Sequence, residues 1–223
     1  MKLKEFSKES FAKLLADYEL EDAYQWVCSR TLHQKGYHTL YHMEVVTHYA
    51  ELLLRQYNVP KEDRYPVLIA ALFHDVGHVG KFGPDSVNIE RAIELYQLFV
   101  SEVRGVYALY SRSVPELIRS TQYPYDSPPK GINAACLRSA DLMMLNEPDA
   151  YEWAFVRLYS EYEKSVEEPN KEEYWTKQID FMINLPDLIP LPAARYSINA
   201  RMYEISLKHW HKRFVYGDTQ TSS

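Results

Sequence analysis

Two histidines and two aspartates stand out in this chain for their types and settings. Phe73-His74-Asp75-Val76-Gly77-His78 closes an apolar run with an adjacent imidazole and carboxylate. His74 offers a ring nitrogen, and Asp75 offers two oxygens that can bridge two cations. Such a pair points to a divalent metal site, and so to chemistry on phosphate esters. Upstream, Tyr37-His38-Thr39-Leu40-Tyr41-His42 sets two histidines four apart. On a helix those positions share a face, so both imidazoles can enter one cavity. Alone, that spacing is more often a surface or core feature. His74 and Asp75 would diverge by roughly 100° on a helix, and both can reach a metal only at a helix end. Asp141 is an isolated carboxylate after Ala134-Ala135-Cys136-Leu137 and before Leu142-Met143-Met144. A lone buried charge is costly, so it needs a partner. A salt bridge to Arg138 is the plain alternative to a metal.

Together these residues form a mixed nitrogen–oxygen set suited to zinc, iron, manganese or nickel. Asp75 can also bridge a second, harder ion such as magnesium, completed mostly by water. Two ions about 3.5–4 Å apart would activate a water and clamp both phosphate oxygens.

The elements that must position these groups read as helices. Phe11, Leu14, Leu15 and Tyr18 recur at three- and four-residue steps, as do Val45, Val46, Tyr49, Leu52 and Leu53. Val67, Ala70, Ala71 and His74 lead one face into the His-Asp pair. Ile89, Ile93, Tyr96 and Val100 mark another helix, and Leu117 to Thr121 a short one. Ile132, Ala135, Cys136 and Ser139 lead into Ala140-Asp141. Further helices are expected over 149–166, 171–185 and 192–215. No segment alternates over many residues, so no sheet is expected. The spacing of Gly77, Gly80 and Gly83 fits neither common phosphate-binding fingerprint, and reads as a helix terminus with a turn. The expectation is one all-α domain, 1–218, a compact bundle of about nine helices, with 219–223 as a frayed tail.

Bulk properties bound the partners. The chain has 223 residues, 46% of them hydrophobic, enough for a substantial core. A net charge of -6 argues against a basic face for duplex nucleic acid. It leaves room for a small nucleotide, because a bound cation supplies local positive charge. Cys28 and Cys136 sit in periodic apolar stretches and read as buried free thiols rather than a disulfide. The start lacks an apolar signal core, and no apolar run reaches the roughly 20 residues of a bilayer span. A cytoplasmic protein is expected. Oligomeric state is open, a homodimer included. Nineteen tyrosines are unusual, and no pattern in the sequence accounts for them.

These motifs resemble the HD-domain superfamily of metal-dependent phosphohydrolases, whose order His … His-Asp … Asp is matched by His42, His74-Asp75 and Asp141. The resemblance runs from about Tyr37 to Pro148 and includes details similar to the cyclic-nucleotide phosphodiesterase branch. Tyr37 to His42 resembles its Tyr-His-Asn-x-x-His, and His74 to Gly80 resembles His-Asp-x-x-His-x-Gly. Asn88-Ile89-Glu90-Arg91-Ala92 resembles Asn-Ser-Glu-x-Ala, Ser120-Thr121 resembles part of Ala-Thr-Asp, and Ala140-Asp141-Leu142 resembles the start of Ala-Asp-Leu-Ser-Asn-Pro. The resemblance implies an all-α fold and a hydrolase with one or two divalent ions. His42, His74, Asp75 and Asp141 would be the ligands, with Asp75 shared and central to catalysis. His38 would be the general acid, its unperturbed pKa being near neutrality. His78, Glu90 and Thr121 would hydrogen-bond the waters of the second ion. Glu90 also reads simply as a solvated helix charge, and Thr121 as a helix-end hydroxyl.

Thr39 and Gln122 depart from the branch pattern, which puts cyclic-nucleotide specificity in doubt. Gln178 and Phe181 echo its Gln-x-x-Phe purine clamp, a spacing that also arises by chance. Lys81, past the glycines, is a candidate phosphate contact. Arg195 and Arg201 default to surface salt bridges, His33, His48, His209 and His211 to structural roles, and Glu161–Glu168 to a solvated acidic face. The substrate expected is a small phosphorylated compound, a nucleotide phosphomonoester or diester. A non-hydrolytic nucleotide-binding module of the same fold is the alternative. A di-iron oxygenase ranks below it, because such sites carry extra histidine ligands and only His78 is at hand.

Overall fold

A computed structural model describes residues 3–31, 36–80, 84–150 and 156–202. The α-helices are α1 (Lys8–Tyr18), α2 (Glu21–Arg30), α3 (Leu40–Gln56), α4 (Lys61–Phe73), α5 (Asp85–Val103), α6 (Ser113–Arg119), α7 (Gly131–Asp141), α8 (Leu158–Glu163) and α9 (Lys171–Leu188). Short 3-10 helices cover Gly105–Tyr110 and Leu142–Asn146, and 192–202 is helical. The described residues contain no strand, so the fold is all-α.

Each expected helix has a counterpart, with shifted ends. α9 runs three residues past the expected boundary, through Pro186, which removes only one donor near the end of the helix. Helix α2 lies outside the periodic reading, although Ala23, Trp26 and Val27 form its buried face. Of the stretches 149–166 and 192–215, residues 151–155 and 203–215 lie outside the described residues, as do His33, Lys81, His209, His211 and the tail 219–223.

α3 and α4 form the centre. Every residue of α4 from Pro66 to Phe73 is buried. α4 packs on α3, α2, α6 and α7, and α3 packs also on α1 and α7. At the C-terminal end of α4 the Phe73 ring sits 5.6 Å from Trp26, 5.3 Å from Tyr96 and 5.1 Å from Phe99. A buried phenylalanine contributes about 1.5–3 kcal/mol, and here it anchors the residue directly before His74.

Polar pins tie α1, α2 and the segment after Asn146 to α3. Three buried glutamates, Glu44, Glu51 and Glu147, accept hydrogen bonds from the hydroxyls of Tyr24, Tyr18 and Tyr49. This accounts for part of the tyrosine content, since the phenol brings apolar bulk and one donor to each buried carboxylate. Cys136 is buried and Cys28 only half-buried, and both are free. Arg201 is a correction to the surface reading: it is 8% exposed and donates to the Glu147 carbonyl. Arg195 donates to the Ile189 carbonyl. His48 is buried, with its Nε2 on the Lys4 carbonyl.

Candidate metal centre

The His-Asp pair sits where helical geometry ends. α4 stops at Phe73, His74 is its C-cap, and Asp75 lies in the following turn. That placement lets neighbouring side chains converge, as the spacing required. His42 comes from the first turn of α3, fixed by Thr39, whose hydroxyl accepts from the His42 amide at 3.3 Å. Asp141 ends α7. The Arg138 alternative fails, because its guanidinium donates to the carbonyls of Ser120 and Ser127, both at 2.8 Å.

Ligand atoms of His42, His74 and Asp141 meet, and an Asp75 oxygen lies against both histidines. His42 Nε2 lies 3.1 Å from Asp141 Oδ1, 3.3 Å from Asp75 Oδ2 and 3.3 Å from His74 Nε2. His74 Nε2 lies 3.2 Å from Asp75 Oδ2 and 3.4 Å from Asp141 Oδ1. Ligands held at about 2.1 Å around one ion stand roughly 3.0–3.4 Å apart, so this spacing fits a coordination shell. The tautomer agrees. His74 Nδ1 donates to the Ala71 carbonyl at 2.8 Å, so Nε2 is the nitrogen that faces two carboxylates and another ring nitrogen. Groups crowded this way need a proton or a metal ion between them.

The electrostatics state the same need. Burial opposes every charged form here, and mutual attraction overrides it. His74 is held well above its ordinary value by Asp75 and Asp141. Asp75 is held well below the usual carboxylate range by His74 and His38. Asp141 is pushed down to about 2 by its bonds to His42 and His74. His42 Nδ1 is buried without a hydrogen-bond partner. The donor set fits a divalent ion.

A second array lies beside the first, and its key member is a correction. Glu161 is 1% exposed rather than part of a solvated acidic face. Its Oε1 accepts from the amides of Tyr37 at 2.6 Å and His38 at 3.1 Å, and its Oε2 meets His38 Nδ1 at 2.7 Å. Gly36 makes the approach possible, because a Cβ there would fall 2.0 Å from Glu161 Oε1. His38 therefore lies in the lead-in to α3, not on the helix with His42. It is turned toward the site by Glu161 rather than by a shared helical face. Its ring stacks on His78 at 3.9 Å.

Burial disfavours protonated His38, but Asp75 and the bond to Glu161 outweigh it and raise its pKa to about 9. His78 goes the other way, lowered to about 4 by burial and by the charge on His38. His38, His78 and Glu161 bring ligand-type atoms within 4.8 Å of one another. Yet the Gly80 amide donates to His78 Nδ1 at 3.0 Å, which places the proton of the neutral ring on Nε2. Neither ring nitrogen then has a free lone pair for a metal. His78 therefore offers no lone pair as the extra histidine ligand of an oxygenase site.

The other candidates make contacts of their own. Glu90 is exposed and forms a two-point ion pair with Arg119 at 3.0 and 3.1 Å. Thr121 is buried, and its hydroxyl donates to the Ile118 carbonyl. Gln178 and Phe181 lie on α9, with the Phe181 ring against Tyr123 at 5.9 Å. Tyr37, the first residue of the motif that leads into His42, borders the centre, and Tyr125 and Asp85 carried no signal in the sequence. Tyr37 packs its ring on His42 at 4.7 Å. Tyr125 and Asp85 both feel the charge of Asp141, and the Asp85 carboxylate accepts from the Tyr123 amide at 2.7 Å.

No described helix is long and apolar enough to cross a membrane. No curated protein and no solved structure matches the chain. Residues 39–143, which carry His42, His74, Asp75 and Asp141, match the family model of the HD domain, a family that is mostly metal-dependent hydrolases, and so support a place for this chain in the HD-domain superfamily.

Proposed function

We infer that this protein is a metal-dependent phosphohydrolase acting on a phosphate ester of a small nucleotide. The observation that carries the reading is the convergence of His42, His74 and Asp141 from three helix ends, spaced at 3.1–3.4 Å, with Asp75 3.2–3.3 Å from both histidines. His42, His74, Asp75 and Asp141 would hold the divalent ion, which when bound polarises a phosphate oxygen and lowers the pKa of its water. The chain's own work is then proton delivery. His38 is held protonated by Glu161 and Asp75, and with Nδ1 committed to Glu161 its Nε2–H is free to protonate a departing alkoxide. His78, stacked on it, stays neutral and keeps a second positive charge away. Glu161 positions the imidazole through three contacts from one buried carboxylate. The phosphodiesterase-like motifs around His38 and His74 favour a diester, and the monoester is tested alongside.

The test is elemental analysis of purified protein paired with bis(p-nitrophenyl) phosphate and p-nitrophenyl phosphate turnover before and after chelation. One or two metal equivalents with chelator-sensitive release are expected. Asp75→Ala should lose both metal and turnover, and a metal-free variant that remains active would refute the reading.

A further inference from the structure

α5 carries none of the four metal ligands, yet it braces the chain on both sides of the His-Asp pair. On one side it holds Phe73, whose ring packs on Tyr96 and Phe99. On the other side it holds Gly77. Arg91 Nε donates to the Gly77 carbonyl at 2.9 Å. Gly77 also lies directly against the helix, because a Cβ there would fall 2.5 Å from Leu95 Cδ1 and 2.9 Å from Arg91 Nε. Arg91 and Leu95 stand four apart, so they share one face of α5. Gly77 has a φ of 76°, which a side chain would strain as well.

The ligand pair needs a brace because the α4 ladder stops before Asp75. The turn that follows is closed by two short bonds, from the Val76 amide to the Phe73 carbonyl at 3.0 Å and from the His78 amide to the Asp75 carbonyl at 3.1 Å. Those bonds set the shape of the turn, but they do not tie it to another element. Val76, fully buried, and Gly77, held by Arg91, supply that tie one and two residues after Asp75. We propose that Arg91 is a positioning residue of the metal centre. Its Nε–H holds the Gly77 carbonyl, and through it the turn that sets Asp75 against His42 and His74. The proposal rests on the metal-dependent phosphohydrolase reading and extends it to how the ligand shell is held. Arg91 acts here through the backbone, so its donor matters and its charge does not. A neutral N–H at the same point would do the same work. Glutamine offers one, since its Nε2 is bonded to Cδ as the arginine Nε is.

The test uses full-length protein with cobalt(II) as the probe metal, in wild type, Arg91→Met and Arg91→Gln. Methionine keeps the length of the stem and removes the donor, whereas glutamine returns a donor without the charge. Affinity is read by chelator competition and the coordination shell by the visible absorption of bound cobalt. Denaturation of the metal-free protein reads the fold, and wild-type turnover of bis(p-nitrophenyl) phosphate is measured alongside. Arg91→Met should bind cobalt ~10-fold more weakly and shift the cobalt spectrum, as expected when the support of a metal ligand is removed. Arg91→Gln should restore both the affinity and the spectrum. An Arg91→Met protein with wild-type affinity and spectrum would overturn the proposal, even if its metal-free midpoint fell, because Arg91 would then support only the fold. An Arg91→Gln protein as weak as Arg91→Met would also overturn it, by making the charge the cause. Each of these results leaves the phosphohydrolase reading standing while the wild type binds cobalt and hydrolyses the ester. A wild type that binds no cobalt would remove both.

Discussion

Replacing Glu161 with glutamine should uncouple His38 from its orienting carboxylate while leaving the backbone contacts in place. Gln keeps an Oε1 that can accept from the Tyr37 and His38 amides, but it removes the charge opposite His38 Nδ1. His38 lies at about 9 against an ordinary 6.5, a difference worth about 3.4 kcal/mol at ~1.36 kcal/mol per unit. Asp75 is the largest contribution raising it. The hydrogen bond and the charge of Glu161 come next, and Asp141 follows. Losing two of these should lower the His38 pKa by about 1–1.5 units. A raised imidazole stabilises the fold fully below pH 6.5 and loses that contribution as the pH climbs through about 9. Glu161 is depressed, so its share is present above its ordinary 4.5 and fades in acid. The stability deficit of Glu161→Gln should therefore be greatest between those two ordinary values, roughly 1.5–2 kcal/mol, and shrink toward zero above pH 9. Denaturant titrations of the metal-free protein at about pH 5.5, 7.5 and 9.5 read the deficit, and an NMR titration of the His38 ring reads the pKa directly. In turnover, the alkaline limb should move toward acid by about the same 1 unit, because the acid must be protonated to act. An unmoved His38 midpoint, or a deficit constant across pH as expected for lost packing, would refute the reasoning.

Three further outcomes follow from the same geometry. Gly36→Ala puts a methyl group on the Glu161 carboxylate and should displace it, so the variant should reproduce the His38 pKa drop and acid-shifted limb of Glu161→Gln without any change of charge. Glu90→Gln breaks only an exposed ion pair with Arg119, so stability should change by about 0–1 kcal/mol, with metal content and turnover unchanged; lost metal or activity would restore its role at the centre. Phe73→Ala empties the aromatic seat beneath His74 and should cost about 3–5 kcal/mol in chemical denaturation, and a loss under 1 kcal/mol would mean that the ring does not anchor that helix end.

The helices that carry the metal ligands were legible because their burial is local and periodic. α4 is apolar from Val67 to Phe73, and the polar pair that follows so long an apolar run has to mark its end. α7 shows its buried face as Ala134, Ala135, Leu137 and Ala140 before Asp141. α2 escaped because it is ten residues long, opens on Glu21-Asp22, and has only three buried residues, so its stripe is short against a polar background. The 3-10 helices have no period long enough to read.

Glu161 was illegible for a deeper reason. It stands in Glu161-Tyr162-Glu163-Lys164, a run that by composition belongs in water. What buries it is a loop 123 residues away, whose two amides and one imidazole provide more donors than any local neighbour. A carboxylate is buried only where such donors already converge, and convergence across the fold leaves no trace in spacing. Local sequence could point to Gly36 as a place of close approach, yet not to the residue that approaches. The ligands of a metal centre advertise themselves because four chemically unusual residues must be encoded in hydrophobic surroundings. The carboxylate that orients His38 is ordinary in type, and only its tertiary neighbours set it apart.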